Sequence, residues 1–114
     1  MDSIKLTLPF PPSANRYWRK YNNRMVKSDV ARGYCKHVKD NLDVQMIDGT
    51  VAISMHFYRP ARRGDLDNRA KILGDSLQGI LYKDDKQIVE MHLYQDDDKH
   101  NPRVEVEIWP KNRG

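Results

Sequence analysis

The sequence predicts a single small α+β domain over residues 1–114, with helices packed on a mixed sheet. Four segments alternate apolar and polar residues with period two, two others repeat apolar residues every third or fourth position, and their order is β-α-β-α-β-β. A length of 114 residues fits one domain or half of an entwined dimer, and neither an internal repeat nor a linker breaks it.

Each element has its own signal. Ile4, Leu6 and Leu8 alternate as a strand that stops at Pro9. The run from Pro9 to Asn15, with Pro11 and Pro12 inside it, reads as an extended, shaped loop. Ser28 suits an N-cap with Asp29 in the first turn. Val30, Tyr34, Val38, Leu42 and Met46 then recur every fourth position, an amphipathic helix weakened by Gly33. Asp48-Gly49 reads as a turn, and Val51, Ile53, Met55 and Phe57 alternate as a half-buried strand. Asp67 is placed to cap a second helix whose stripe is Leu73, Leu77, Ile80 and Leu81. Val89, Met91 and Leu93, then Val104, Val106 and Ile108, alternate on either side of a polar stretch and are expected to pair as a hairpin.

Composition narrows the function classes. A single cysteine, Cys35, excludes an internal disulfide framework and an all-cysteine zinc site, and reads as a small packed residue. No run approaches the roughly 18 apolar residues of a membrane span, and no early apolar segment reads as a signal peptide, so the expectation is a cytoplasmic protein with no membrane partner. The net charge of +4 hides an uneven spread. Arg16, Arg19, Lys20, Arg24 and Lys27 come without an intervening acid, interleaved with Tyr17, Trp18 and Tyr21. That pattern is the electrostatic footprint of a polyanion partner; a solvated loop with ordinary bases is the alternative. His37, His56, His92 and His100 have no partner at a metal-ligand spacing and read as packed or solvated.

The segment from Arg62 to Lys71 carries the chemistry. If Asp65 to Asp67 is extended, both carboxylates face one way, a donor set that suits Mg²⁺ or Mn²⁺. Lys71 lies about one helical turn beyond Asp67, and Asp84-Asp85 returns carboxylates just before a strand. Two structural readings stand beside this. Asp67 is a good N-cap and an ordinary i, i+4 partner for Lys71, and Asp84-Asp85 also suits a solvated turn. A calcium-binding EF-hand does not fit, because Arg69 and Ala70 stand where a third oxygen ligand and a glycine belong. Bases beside acids favour phosphodiester chemistry, which needs carboxylates next to phosphate-binding cations.

At these residues the chain resembles the RusA-type Holliday junction resolvases of bacteria and their phages. The resemblance rests on Asp65-Leu66-Asp67-Asn68, Lys71 and Asp84-Asp85, together with the opening Leu8-Pro9-Phe10-Pro11-Pro12-Ser13-Ala14-Asn15-Arg16-Tyr17, and runs in order from about Ile4 to Val89. It implies a homodimeric endonuclease that binds four-way DNA junctions and nicks two strands symmetrically with Mg²⁺, or Mn²⁺ as substitute. Asp65, Asp67 and Asp85 match the family's catalytic, metal-binding carboxylates, and Lys71 matches its essential lysine. The chain departs from the pattern in a slightly shorter link to Asp85 and in Gly74, where some relatives carry an aromatic residue.

For DNA contact the candidates are Asn15, Arg16, Arg19, Lys20, Arg62 and Arg63, acting mainly on phosphates. Tyr17 and Trp18 are candidates for stacking on unpaired bases, with core or loop packing as their alternative. Two rival functions share these features: a broader flap or fork nuclease, and a junction-binding protein without catalysis.

Overall fold

A four-stranded mixed sheet carries all the long helices on one of its faces. The computed structural model describes residues 3–43, 45–62 and 66–111. Along the chain run β1 (Ile4–Pro9), a single helical turn α1 (Ala14–Tyr17), β2 (Trp18–Tyr21), β3 (Arg24–Lys27), α2 (Asp29–Asn41), β4 (Val51–Arg59), α3 (Leu66–Leu77), β5 (Ile88–Asp97) and β6 (Arg103–Pro110). The main sheet has the order β1-β6-β4-β5, with β4 and β5 parallel and the other neighbours antiparallel; β2 and β3 form a separate two-stranded sheet. Among the described residues no helix is long and apolar enough to cross a membrane.

The alternation expected in β1, β4 and β6 is present and decides which face is covered. Leu8, Ile53, Met55, Phe57, Val104, Val106 and Ile108 are buried in one cluster with Tyr34 and Val38 of α2 and Ala70, Leu73 and Leu77 of α3. The intervening Ser54, His56, Tyr58 and Glu105 stay on the open face, where His56 stacks on Tyr58 at 4.4 Å and meets Asp96 at 2.6 Å. A smaller cluster of Tyr17, Ala31 and Ile72, with Cys35 packed against it, joins α1, α2 and α3.

Three expectations about the elements are corrected. β5 and β6 do not pair: β4 lies between them, because α3 is the crossover that returns β5 parallel to β4. The polar link steps over β4, starting with the Asp98 amide on the Arg59 carbonyl at 2.8 Å, while the Asp98 carboxylate accepts from the His100 and Asn101 amides and from Arg103. Alternation reports which face a strand buries and not which strand is its neighbour. The helix capped by Ser28 ends at Asn41, so Met46 is not part of its stripe; Val30 and Met46 are exposed, and the packed face is Ala31, Tyr34 and Val38. The proline-rich loop closes in a helical turn, with the Arg16 and Tyr17 amides on the Ser13 carbonyl.

The basic segment is a hairpin that the periodicity does not reveal. Its turn residues Asn22 and Asn23 both have positive φ, 49° and 63°, a conformation that asparagine tolerates and that suits the twist of a two-residue hairpin turn.

Candidate active site and nucleic-acid interface

Helix α3 sorts its residues by face. Leu73 and Leu77 are fully buried against the sheet; α3 ends at Leu77, so Ile80 and Leu81, expected in the same helical stripe, are buried from the turn that follows it. Asp67, Lys71 and Asp75 follow one another at helical spacing along another face and, with Gln78 just past the helix end, line a groove of about 650 Å³. Trp18 of β2, Tyr82, Asp85 and residues 88–91 at the start of β5 complete its walls. Asp67 therefore shares a groove with Lys71 and Asp85, as the acidic pattern anticipates. It does so from inside the first turn of α3, which begins at Leu66, and not as an N-cap; the extended pairing expected of Asp65 with Asp67 falls partly outside the described residues. Half-buried Leu66 packs against the core.

Asp85 reaches the groove because the chain after α3 is tightly tied. The Gly79 amide bonds the Tyr82 carbonyl at 2.7 Å, and the buried Tyr82 hydroxyl donates to the Gly74 carbonyl at 2.5 Å. Burial, with the nearby Asp85 and Asp75 charges, raises the Tyr82 phenol well above its ordinary range, so it stays a neutral donor. One turn of 3₁₀ helix, Asp85–Gln87, follows, with Asp84 as its N-cap accepting from the Lys86 amide at 2.9 Å. That amide is the chief reason the Asp84 carboxyl is held below its usual range. Gln87 closes the cap, accepting from the Lys83 and Asp84 amides and donating to the Ile47 and Gly49 carbonyls at 2.7 and 2.8 Å. The two adjacent aspartates thus divide roles: Asp84 holds the turn and Asp85 faces the groove.

The candidate DNA contacts fall unevenly. Arg16, Arg19 and Lys20 are exposed, as is Arg24, and the Arg19 guanidinium lies 5.4 Å from the centre of the Tyr21 ring. Arg62 is exposed and its Nε lies 3.2 Å from Asp97. The Asn15 side chain, Arg63 and Asp65 lie outside the described residues. Of the two rings proposed for stacking, Trp18 is 40% exposed on the groove wall, but Tyr17 is fully buried and unavailable to a base. Its packing between α2 and α3 wins, because burying the whole ring outweighs leaving it at the surface.

Sequence reasoning missed Asp75. Its Oδ2 accepts from the Tyr17 hydroxyl at 2.5 Å and lies 2.8 Å from the Lys27 ammonium. Partial burial raises its pKa, but the bonds from Lys27 and Tyr17 outweigh that and hold the carboxyl below its ordinary value. The repeat Asp67, Lys71, Asp75 at intervals of four was the available signal.

Among the described residues no three histidine, cysteine or acidic side chains cluster as a metal site. Asp67 and Asp85 are the described members of the expected carboxylate set, and two hard oxygen ligands in an open groove suit a divalent cation that keeps most of its waters.

Carboxylates and a lysine in one groove, with a basic hairpin at its wall, define a candidate site for phosphodiester chemistry on a one-sided mixed sheet. The profile of the family described as endodeoxyribonuclease RusA matches residues 9–109. The crossover junction endodeoxyribonuclease RusA of Escherichia coli K12 is 32% identical over 114 residues, covering 95% of each chain. Its namesake in Enterobacteria phage 82 is 32% identical with the same coverage, and that of phage HK97 is 32% identical over 99 residues, 82% of each chain. The chain belongs to the RusA endodeoxyribonuclease family.

Proposed function

We propose that this protein resolves four-way DNA junctions as a homodimer, each protomer nicking one strand in a reaction that needs Mg²⁺ or Mn²⁺. The observation that carries the reading is the convergence of Asp67, Lys71 and Asp85, from two separate elements, on one groove beside the basic hairpin. Asp67 and Asp85, with Asp65, would hold the divalent ion. When bound, the ion neutralises charge on the scissile phosphate and activates water for attack. Lys71 places a cation in the same groove, where it orients that phosphate and stabilises charge developing on it. In-line attack breaks the bond to the 3′ oxygen and leaves a 3′-hydroxyl and a 5′-phosphate that a ligase can seal. Arg19, Lys20 and Arg24 on the hairpin grip flanking phosphates, giving strong salt dependence, and exposed Trp18 offers a ring to a base opened at the junction centre.

The test incubates wild type and Asp67→Asn with a labelled four-way junction, a flap and a matched duplex, in Mg²⁺, Mn²⁺ or EDTA. Paired, ligatable nicks only in wild type with metal are expected, with junction binding kept in the variant. Full cleavage by Asp67→Asn would sink the assignment. Equal cleavage of flaps would replace it with a broader nuclease, and binding without any cleavage with a non-catalytic junction protein.

A further inference from the structure

The hairpin that carries the basic residues has little of its own to hold it in place. β2 and β3 contribute four residues each, none of them buried, and they pair only with each other. A lone two-stranded hairpin is marginally stable in water, so its position depends on what ties its base to the body. At that base the Ser28 amide bonds the Tyr17 carbonyl at 2.8 Å, and the Tyr17 ring packs edge-on against Trp18 at 4.9 Å. One acceptor then links both ends of the hairpin to the groove helix. Asp75 Oδ2 takes the Tyr17 hydroxyl at the entry to β2 and the Lys27 ammonium at the end of β3.

We infer that Asp75 is a positioning residue: through Tyr17 and Lys27 it clamps the basic hairpin to the helix that carries Asp67 and Lys71, and so sets how tightly DNA is held over the groove. The inference rests on the junction-cleaving reading above. Asp75 lines the same groove as Asp67 and Asp85 and has the chemistry of another metal ligand. The Oδ2 atom, however, already receives an ammonium and a phenol, the pattern of an anchor. Lys27 likewise counts as one more base for DNA by composition, yet its charge is spent on Asp75.

Charge alone and a clamp predict opposite results for Asp75→Asn. Removing a negative charge from a groove that faces a polyanion tightens binding if only the field matters. If the clamp matters, binding weakens. The full chain and its Asp75→Asn, Lys27→Met, Lys27→Arg and double Asp75→Asn/Lys27→Met variants are compared in three measurements. These are amide hydrogen exchange in the free protein, Kd for a labelled four-way junction, and the single-turnover cleavage rate at saturating protein.

Each of Asp75→Asn and Lys27→Met should speed exchange of the amides of residues 18–27 by about five-fold and leave β4 unchanged. Each should raise Kd by about three- to ten-fold while the saturated cleavage rate stays within about two-fold. The double variant should be no worse than Asp75→Asn alone, because Lys27 acts in the clamp only through Asp75, and Lys27→Arg should restore wild-type behaviour. Unchanged exchange in both single variants overturns the clamp. Tighter junction binding by Asp75→Asn beside weaker binding by Lys27→Met overturns it in favour of plain electrostatics. A fall in the saturated rate that matches the rise in Kd would make Asp75 part of the chemistry instead. Should wild type fail to bind junctions, the reading beneath the inference falls and the positioning role with it, whereas exchange, measured without DNA, separately decides whether the link exists.

Discussion

The same substitution, glycine to alanine, should have opposite signs at two positions five residues apart. Gly74 lies inside α3, and a methyl group there meets only the Tyr82 hydroxyl, at 3.5 Å, an ordinary contact. Alanine at a helical position gains about 0.5–1 kcal/mol over glycine, by restricting the unfolded chain. Gly79 follows the helix with φ +88°, the left-handed conformation that lets its amide reach the Tyr82 carbonyl at 2.7 Å. There a side chain costs about 1–2 kcal/mol although nothing crowds it. For 114 residues the melting entropy is about 0.24 kcal/mol/K, so 1 kcal/mol moves Tm by about 4 °C. Gly74→Ala should therefore raise Tm by about 2–4 °C and Gly79→Ala lower it by about 4–8 °C. Gly33→Ala in α2, where the new methyl meets nothing within 4 Å, is the open-space control and should rise like Gly74→Ala. Thermal unfolding followed by circular dichroism at 222 nm reads all three. A clear fall for Gly74→Ala would refute the packing of Tyr82 under α3. An unchanged Tm for Gly79→Ala would refute the turn that leads to Asp85.

Asp84→Ala should cost about 1 kcal/mol through loss of the cap and slow cleavage partially, whereas Asp85→Asn should leave stability near wild type and abolish cleavage, read by urea unfolding and a nicking assay on the same samples. Leu73→Ala, at a fully buried position on the inner face of α3, should cost about 2–5 kcal/mol in urea unfolding, since the sheet beneath cannot collapse into the space left. The Asp75 link should also be visible in pH. Its carboxyl has a folded pKa below the unfolded value, so the stability it contributes is complete above about pH 4 and is lost as pH falls through the lower folded value. Lys27 is raised, chiefly by its bond to Asp75, so its share is present below its unfolded pKa of about 10.4 and disappears at higher pH as the pH passes its folded one. The stability difference between wild type and Asp75→Asn should accordingly be flat at neutral pH and shrink toward zero in acid; a difference that persists at the acid end would show that the charge is not its source.

What could be read from the sequence follows from how local each signal is. The Ser28 cap, the buried Tyr34 and Val38, and the alternation in β1, β4 and β6 are properties of a few neighbouring residues, and they are present as expected. The neighbour of β5 is not a local property, because it depends on α3 carrying the chain back alongside β4. The hairpin escaped for a different reason. Trp18, Arg19, Lys20 and Tyr21 show no apolar alternation because neither face of that ribbon is buried, and only Asn22-Asn23 marked the turn. At the groove, residue type and spacing pointed to Asp67, Lys71 and Asp85, and all three line it. Tyr17 was ambiguous because a tyrosine beside arginines suits a core and a nucleic acid equally; only the burial of its ring decides.

The two halves of the interface differ in what holds them, and that difference bears on how the protein would work. Asp67 and Lys71 ride on a helix anchored by Leu73 and Leu77, and Asp85 sits on a turn fastened by Asp84, Gln87 and Tyr82. Displacing the groups proposed to react means disturbing a buried helix face or the bonded turn. The basic hairpin has no such backing and meets the body at its base. Rigid support for the reacting groups suits chemistry, where small misplacements are costly, while a lightly tethered cationic arm suits a branched substrate whose phosphates do not lie on one regular helix. Under the proposed mechanism affinity and rate would be set by different residues, so a sequence could change its grip on DNA at the hairpin without touching Asp67, Lys71 or Asp85.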